Sequence, residues 1–312
     1  MEINPFRTTN QSPLAAIHPL PADSDSVVTP KGRLSSALSF DLASSYTPAS
    51  TAGERILLDG ESYRWTLSFR YGLTDTAEVG IELPWVMHGG GFLDSFIIDW
   101  HDAFGLPQGG RDNAPKNRLS YNYANSGEQR LLLDDSGSGI GDIVLTGGMK
   151  LYEESSPALH DTVALRSTVK LPSGDSDSLR GSGAIGGTLS LCGALNRFTE
   201  WGSIGVFGSA GGALSGKGKV LKEQQESSVV FGTLGLGWGP ASWISFKLQL
   251  NANSRLYNGS SLAELAKPGM MLVSGGALKF PADYQLDIGV SEDVSVGTAP
   301  DVAFHLGLSK LF

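Results

Sequence analysis

Apolar and polar residues alternate with a period of two along most of this chain. Near its end, Val302, Phe304, Leu306 and Leu308 alternate with Ala303, His305, Gly307 and Ser309, and before them Tyr284, Leu286, Ile288 and Val290 alternate with Gln285, Asp287, Gly289 and Ser291. Ile244 to Asn253 and Tyr63 to Tyr71 repeat the pattern. Successive side chains of an extended chain point to opposite faces, so each run is a strand with one greasy face and one wetter face. The pattern predicts about twelve strands, near 33–46, 61–73, 76–88, 141–153, 161–172, 183–196, 201–213, 228–239, 242–257, 270–281, 283–293 and 301–312.

A soluble β-sandwich also alternates, so strand length and connection length must decide. These strands exceed the five or six residues usual in soluble sheets and match the nine to eleven that cross a bilayer at a tilt. Tight turns such as Leu73-Thr74-Asp75 are interleaved with longer segments at 47–60, 89–140 and 214–227, the asymmetry of outer-membrane barrels. Cations and amides (Arg64, Arg166, Lys247, Asn251) stand in mid-strand on the wetter face, where a water-filled interior tolerates them and a dry core does not. Hydrocarbon offers nothing to an unpaired strand edge, so the sheet must close. The expectation is an all-β fold: a closed antiparallel up-and-down transmembrane β-barrel of about twelve strands in the bacterial outer membrane, spanning 33–312. It has an extended N-terminal arm over 1–32 and one long extracellular loop over 89–140 carrying a short helix.

Composition narrows the class. Forty-one glycines among 312 residues demand many turns or close backbone approaches, and 32 acidic against 23 basic residues, with no basic stripe, argue against a nucleic-acid partner. The single cysteine, Cys192, excludes an internal disulfide framework and any multi-cysteine metal site, and no cofactor is implied. The first residues, Met1-Glu2-Ile3-Asn4-Pro5, contain no basic and then apolar stretch of a secretory signal.

His101 to Asp112 reads HDAFGLPQGGRD. With Asn4-Pro5-Phe6, Asn10-Gln11-Ser12-Pro13, Gly139-Ile140-Gly141-Asp142 and Lys170-Leu171-Pro172-Ser173-Gly174-Asp175, it resembles the bacterial family catalogued as domain of unknown function 3187, over nearly the whole chain. The resemblance implies an outer-membrane barrel and transfers no catalytic residues. The terminal Phe312 is similar to the end signal of such barrels, implying the barrel insertion machinery as a partner, beside outer-membrane lipid and lipopolysaccharide. The expected state is a monomer.

The wetter face supplies the candidate pore lining: Arg64, Arg70, Glu78, Glu82, Lys150, Arg166, Lys170, Lys247, Asn251, Arg255, Asp287 and His305, with further inward charges at Arg33, Asp41, Asp142, Lys279 and Asp301. Cations outnumber carboxylates in this set, which predicts a mildly basic lumen that favours anions. A turn centred on Thr74 would place Arg70 opposite Glu78 and Arg64 diagonal to Glu82. Strands near 183–239 turn mostly small residues inward, leaving room for the Pro-rich arm, whose Phe6, Leu14, Ile17 and Leu20 could pack there as a plug, with Gln11 beside them. Phe92, Phe96, Ile97, Trp100 and Phe104 recur at three and four residues, predicting an amphipathic helix that caps or gates the mouth through Phe96, Trp100 and His101. Asp94, Asp99, His101, Asp102 and Asp112 lack the loop spacing of a metal site.

A passive or gated porin-like channel for small polar, anionic or amphiphilic solutes fits this set best. The alternatives are a lipid or lipopolysaccharide hydrolase built on His305, Asp287 and Ser291 or Ser309, and a non-conducting structural barrel. A lumen-facing histidine without a nucleophile motif argues against the enzyme.

Overall fold

The computed structural model describes residues 1–105, 108–294 and 297–312, without the side chains of His101 and Phe104. In chain order the strands are β1 (Leu34–Ser50), β2 (Glu54–Gly72), β3 (Ala77–Gly89), β4 (Ser120–Asn125), β5 (Glu128–Leu133), β6 (Gly137–Ile140), β7 (Val144–Ser156), β8 (Leu159–Lys170), β9 (Gly186–Thr199), β10 (Gly202–Ser215), β11 (Ser228–Ala241), β12 (Ile244–Asn253), β13 (Gly269–Phe280), β14 (Tyr284–Asp293) and β15 (Val302–Leu311). Helix α1 (Asp94–Phe104) lies between β3 and β4, and the single turn α2 (Ala263–Ala266) between β12 and β13.

Twelve of these strands, all but β4, β5 and β6, pair with their neighbours in an antiparallel ring. The ring closes where β1 pairs with β15, from Ser35 opposite Leu311 to Ser44 opposite Val302. Closure follows from the solvent: every backbone N–H and C=O in the ladder finds a partner, as hydrocarbon requires. The greasy stripe faces outward, with Leu38, Leu67, Leu145, Leu191, Val206, Leu236, Leu248, Ile288, Leu306 and Leu308 exposed on the outer wall. Their strand neighbours Asp41, Arg70, Glu78, Arg166, Lys247, Gln249 and His305 are buried inside.

The two ends differ. At one, Trp201 and Trp243 stand exposed in hairpin turns, near Tyr71, Tyr152 and Tyr284, as interfacial aromatics do. This short-turn end carries both chain termini. At the other end lie the connections 90–143, 171–185, 216–227 and 254–268.

Segment 47–60 is a correction to the sequence expectation of a loop. Its residues continue the ladder of β1 and β2 up to Ser50 opposite Arg55, and only 51–53 turn. Alternation fades there because the protruding hairpin stands above the membrane, where its inner side chains Ile56 and Leu58 pack into a loop cluster rather than facing a wet lumen. The outer part of β2 also pairs with β4, and β4 with β5, so part of the expected long loop is a second tier of sheet.

Candidate functional site in the barrel lumen

Residues 1–30 run through the inside of the barrel twice. At the short-turn end, Glu2 meets His160 of β8 (2.9 Å) and the Ile3 amide donates to Asn196 of β9 (2.8 Å). Ile3 is fully buried where a side chain on Gly205 would bring its Cβ to 2.4 Å from the Ile3 Cβ, so the glycine makes room for the arm. Higher up, the Gln249 side-chain amide brackets Phe6, accepting from the Phe6 N–H (2.7 Å) and donating to the Phe6 carbonyl (3.3 Å). Lys247 sits 4.0 Å above the Phe6 ring and reaches Asp287 (2.5 Å) and the Asn4 carbonyl (3.0 Å). Thr8 donates to Asp41 (2.8 Å), whose same oxygen contacts His305 Nδ1 (2.8 Å), and Asn251 donates to the Thr8 carbonyl (3.2 Å).

The chain reverses over residues 12–18 at the long-loop end and descends. Its lower limb is held by charge. Asp23 pairs with Arg70 and lies 3.6 Å from Arg166 and 3.9 Å from Arg7. Arg166 also holds Glu78 (2.7 Å) and the carbonyls of Asp25 and Val27, while Glu78 accepts from the Thr29 amide (2.6 Å). Burial alone would raise the Asp23 carboxyl, but the three guanidiniums outweigh it and hold it far below the ordinary carboxylate range. Asp25, buried beside that negative charge, is shifted upward instead.

The reversal lies in a different medium. Leu14, Ala15 and Ile17 are buried among Ile56, Leu58, Tyr121, Tyr123 and Leu131 of the β2–β4–β5 tier, Leu179, Val220 and Leu221 of two loops, and Leu256, Tyr257, Leu262 and Leu265 of a third. The loops thus converge on the arm tip as an apolar dome. Tyr257 donates to the Leu14 carbonyl (2.9 Å) and stands edge-on to His18. Burial, reinforced by the Lys170 charge, pushes His18 down to about 3, so it is neutral in the dome, with Nε2 unpartnered among the described residues.

Between the arm and strands β1, β2, β3, β7, β8, β9, β14 and β15 remains a cavity of about 190 Å³. Gln11, Arg64, Glu82 and His305 line it. It has room for on the order of six water molecules.

Of the expected lining residues, Arg70, Glu78, Arg166, Lys170, Lys247, Asn251, Asp287 and His305 point inward and bind the arm or one another; Lys170, for example, pairs with Asp142. Arg64 donates to the Ala16 carbonyl (3.2 Å). Two expected lining residues lie elsewhere. Lys150 is at the short-turn rim on Glu153 (2.6 Å), and Arg255 is exposed on a loop against Glu226 (2.8 Å). Arg33 and Lys279 are likewise exposed. Of the expected wall charges, those that remain inside are balanced: Arg64, Arg70, Arg166, Lys170 and Lys247 against Asp41, Glu78, Glu82, Asp142 and Asp287. The expected basic lumen is therefore corrected, because the surplus cations sit at the rims and on loops, where water reaches them.

The expected cross-strand pairs are also corrected. Arg70 stands opposite Gly80 and Glu82 opposite Ser68, a hairpin centred on Asp75, one residue later than expected, and the partners of Arg70 and Glu78 are Asp23 and Arg166. The arm, absent from a strand-only argument, supplies the competing charge. His305 takes Asp41, whereas Asp287 takes Lys247, and among the described residues no hydroxyl bonds His305 Nε2, so the Ser-His-Asp set of the alternative reading is not assembled.

Phe96 and Trp100 are not at the mouth. They belong to α1 on the outer wall, half exposed, 6.4 Å from Phe304 in the case of Phe96. The His101 side chain lies outside the described part of the structure. The packing of Phe6 and Leu20 also differs from expectation: Phe6 lies against β12–β14, Leu20 against the dome, and Ile3 is the arm residue that fills the small-residue wall. Pattern reading missed Arg7, Asp23 and Asp25; the acidic cluster Asp23-Ser24-Asp25 between prolines was the available signal, since a charged cluster in a lumen-bound arm needs basic partners on the wall.

An even-stranded antiparallel barrel with an apolar outer belt, aromatic rim and polar interior is an outer-membrane β-barrel. The family model described as a protein of unknown function, DUF3187, matches residues 1–312, and the chain belongs to that family. Among solved structures, the COG4313 outer membrane channel from Pseudomonas putida F1 is similar at a TM-score of 0.56 and 14% identity, over 92% of this chain and 98% of that one. LpxR from Salmonella typhimurium follows at a TM-score of 0.45 and 9% identity (88% and 100% of the chains), and the translocator domain of the autotransporter NalP from Neisseria meningitidis at 0.42 and 10% (89% and 88%). No curated protein matches the sequence.

Proposed function

We propose that this protein is a gated outer-membrane channel for small polar solutes, and that residues 1–30 are its plug. The observation that carries this reading is the chemistry of the arm's seat. Through the lumen the arm is held by ion pairs and hydrogen bonds, each of which water can replace at a net cost of about 1 kcal/mol for a neutral pair. Apart from Ile3 and Phe6, apolar packing of the arm is concentrated at its tip, so withdrawing the limbs exposes little greasy surface. A balanced wall gives no preference for anions, so the solute class is polar without a fixed sign. Exposed Phe312 at the seam of β1 and β15 is the element offered to the insertion machinery.

Locking the tip tests this. A Cβ on Gly186 would lie 3.0 Å from the Pro19 Cβ, so Pro19→Cys with Gly186→Cys, in a Cys192→Ser background, can form a disulfide after a small shift. In planar bilayers the reduced protein should open and the oxidised protein should stay silent, with conductance returning on reduction. Equal conductance in both states would overturn the plug, and silence in both states, with the barrel folded, would overturn the channel.

A further inference from the structure

Helix α1 lies against the outside of the barrel, on the register that faces lipid. Three rows of outward-facing residues, aligned across β15, β1 and β2, fix its height. Leu306, Phe40 and Trp65 form one row, Phe304, Leu42 and Tyr63 the next, and Val302, Ser44 and Glu61 the third. Below the first row, Leu308, Leu38 and Leu67 are exposed and continuous with the apolar belt. The third row turns polar, which marks the upper edge of the hydrocarbon.

Leu93 and Ile97 bury themselves on the second row, against Leu42, with Phe40, Tyr63, Val302 and Phe304 packed around them. Above them polar groups clamp the helix. Arg111 donates to Asp94 (2.5 Å), Ser44 (3.0 Å) and Asp301 (2.6 Å), and Glu61 accepts from the amides of Phe92 (2.8 Å) and Leu93 (2.6 Å). The helix is therefore seated at the hydrocarbon edge with its polar ties upward. Phe92, Phe96 and Trp100 remain exposed, Phe96 and Trp100 stacked at 6.1 Å, while Ser95, Asp99 and Asp102 point to other sides.

We infer that α1 is an interfacial lipid-binding helix, whose exposed Phe92, Phe96 and Trp100 sit among the acyl chains of the outer leaflet beside the closing seam of the barrel. The continuity of this aromatic face with the lipid-facing rows of β1 and β15 names the occupant. An aromatic face at that depth has acyl chains as its neighbours, while Ser95, Asp99 and Asp102 on the flanking side suit the headgroup level and Asp94, opposite the aromatics, points up to Arg111.

Nitroxide labels at Phe96→Cys and, separately, at Asp99→Cys, both in the Cys192→Ser protein reconstituted in phospholipid vesicles, test this. Collision with oxygen, which concentrates in hydrocarbon, is compared with collision with a water-soluble nickel chelate. The expected result is oxygen-dominated relaxation at position 96 and nickel-dominated relaxation at position 99, a difference of severalfold in the accessibility ratio. Nickel-dominated relaxation at 96 would overturn the inference, as would equal ratios at the two sites. Heat-modifiable migration of each labelled protein establishes that the barrel is folded.

Discussion

The arm's two limbs and its tip occupy opposite media within one barrel. Along the limbs, carboxylates meet guanidiniums and neutral donors: Asp23 with Arg70 and Arg166, Glu78 with the Thr29 amide, Asp41 with the Thr8 hydroxyl. At the tip, Leu14 and Ile17 are enclosed by tyrosines and leucines from three loops and a second tier of sheet. The difference is one of exchangeability. Water can substitute for partners along the limbs, whereas nothing in water substitutes for the dome, so the tip is the latch and the limbs are the slide.

The sharpest way to break this contrast is to put a charge in the latch. Ile17→Asp buries an unpaired carboxylate in an apolar cluster, a penalty on the order of 4 kcal/mol against the docked arm. Channel recordings should show open probability rising by more than tenfold at unchanged unitary conductance; an unaltered gating record would place the latch elsewhere. Asp23→Ala should come next. It leaves Arg70 and Arg166 buried with one carboxylate fewer, costing about 2–3 kcal/mol and speeding protease cleavage of the lower limb, while Asp23→Asn should fall between it and the wild type. Cleavage at the wild-type rate would mean that the network is not what seats that limb.

The smallest effect is a pH dependence. In the dome His18 titrates near 3, against 6.5 when free, so a released arm takes up a proton that the docked arm refuses. Docking is unaffected above pH 6.5 and weakens as the pH falls toward 3, by roughly 2 kcal/mol at pH 5. Asp25, raised in the folded protein, pulls the other way, since acid favours its docked form. The quantity to measure is therefore the difference between wild type and His18→Gln: acid-induced opening should be larger in the wild type, and identical curves would remove His18 from the latch.

The strands were legible because each is its own statement of period and face. The nine ring strands from β3 and β7 to β14 follow runs such as Ile244 to Asn253, and their boundaries differ from the pattern by a few residues where the ladder runs past the membrane. Lumen chemistry was legible only as a list of inward charges. Lys150 and Arg255 obey the same parity as Lys247, but Lys150 sits at a bulge of β7 level with the β2–β3 turn and Arg255 on the loop beyond β12, which takes both out of the interior. The helix at 94–104 was legible as a helix, but which surface its apolar side would choose was not: mouth and outer wall both offer greasy residues, and the Arg111 clamp that selects the wall joins three separate segments.

Alternation, taken with strand length and the long-short rhythm of the connections, determined a closed barrel with its greasy face outward, because backbone groups in hydrocarbon admit few other solutions. Which cation meets which carboxylate, where the arm runs and which wall α1 covers were decided by the tertiary structure alone. Those contacts depend on a hairpin whose pairing is shifted by two residues from the expected one and on segments separated by up to hundreds of residues, and a local pattern carries no information about either.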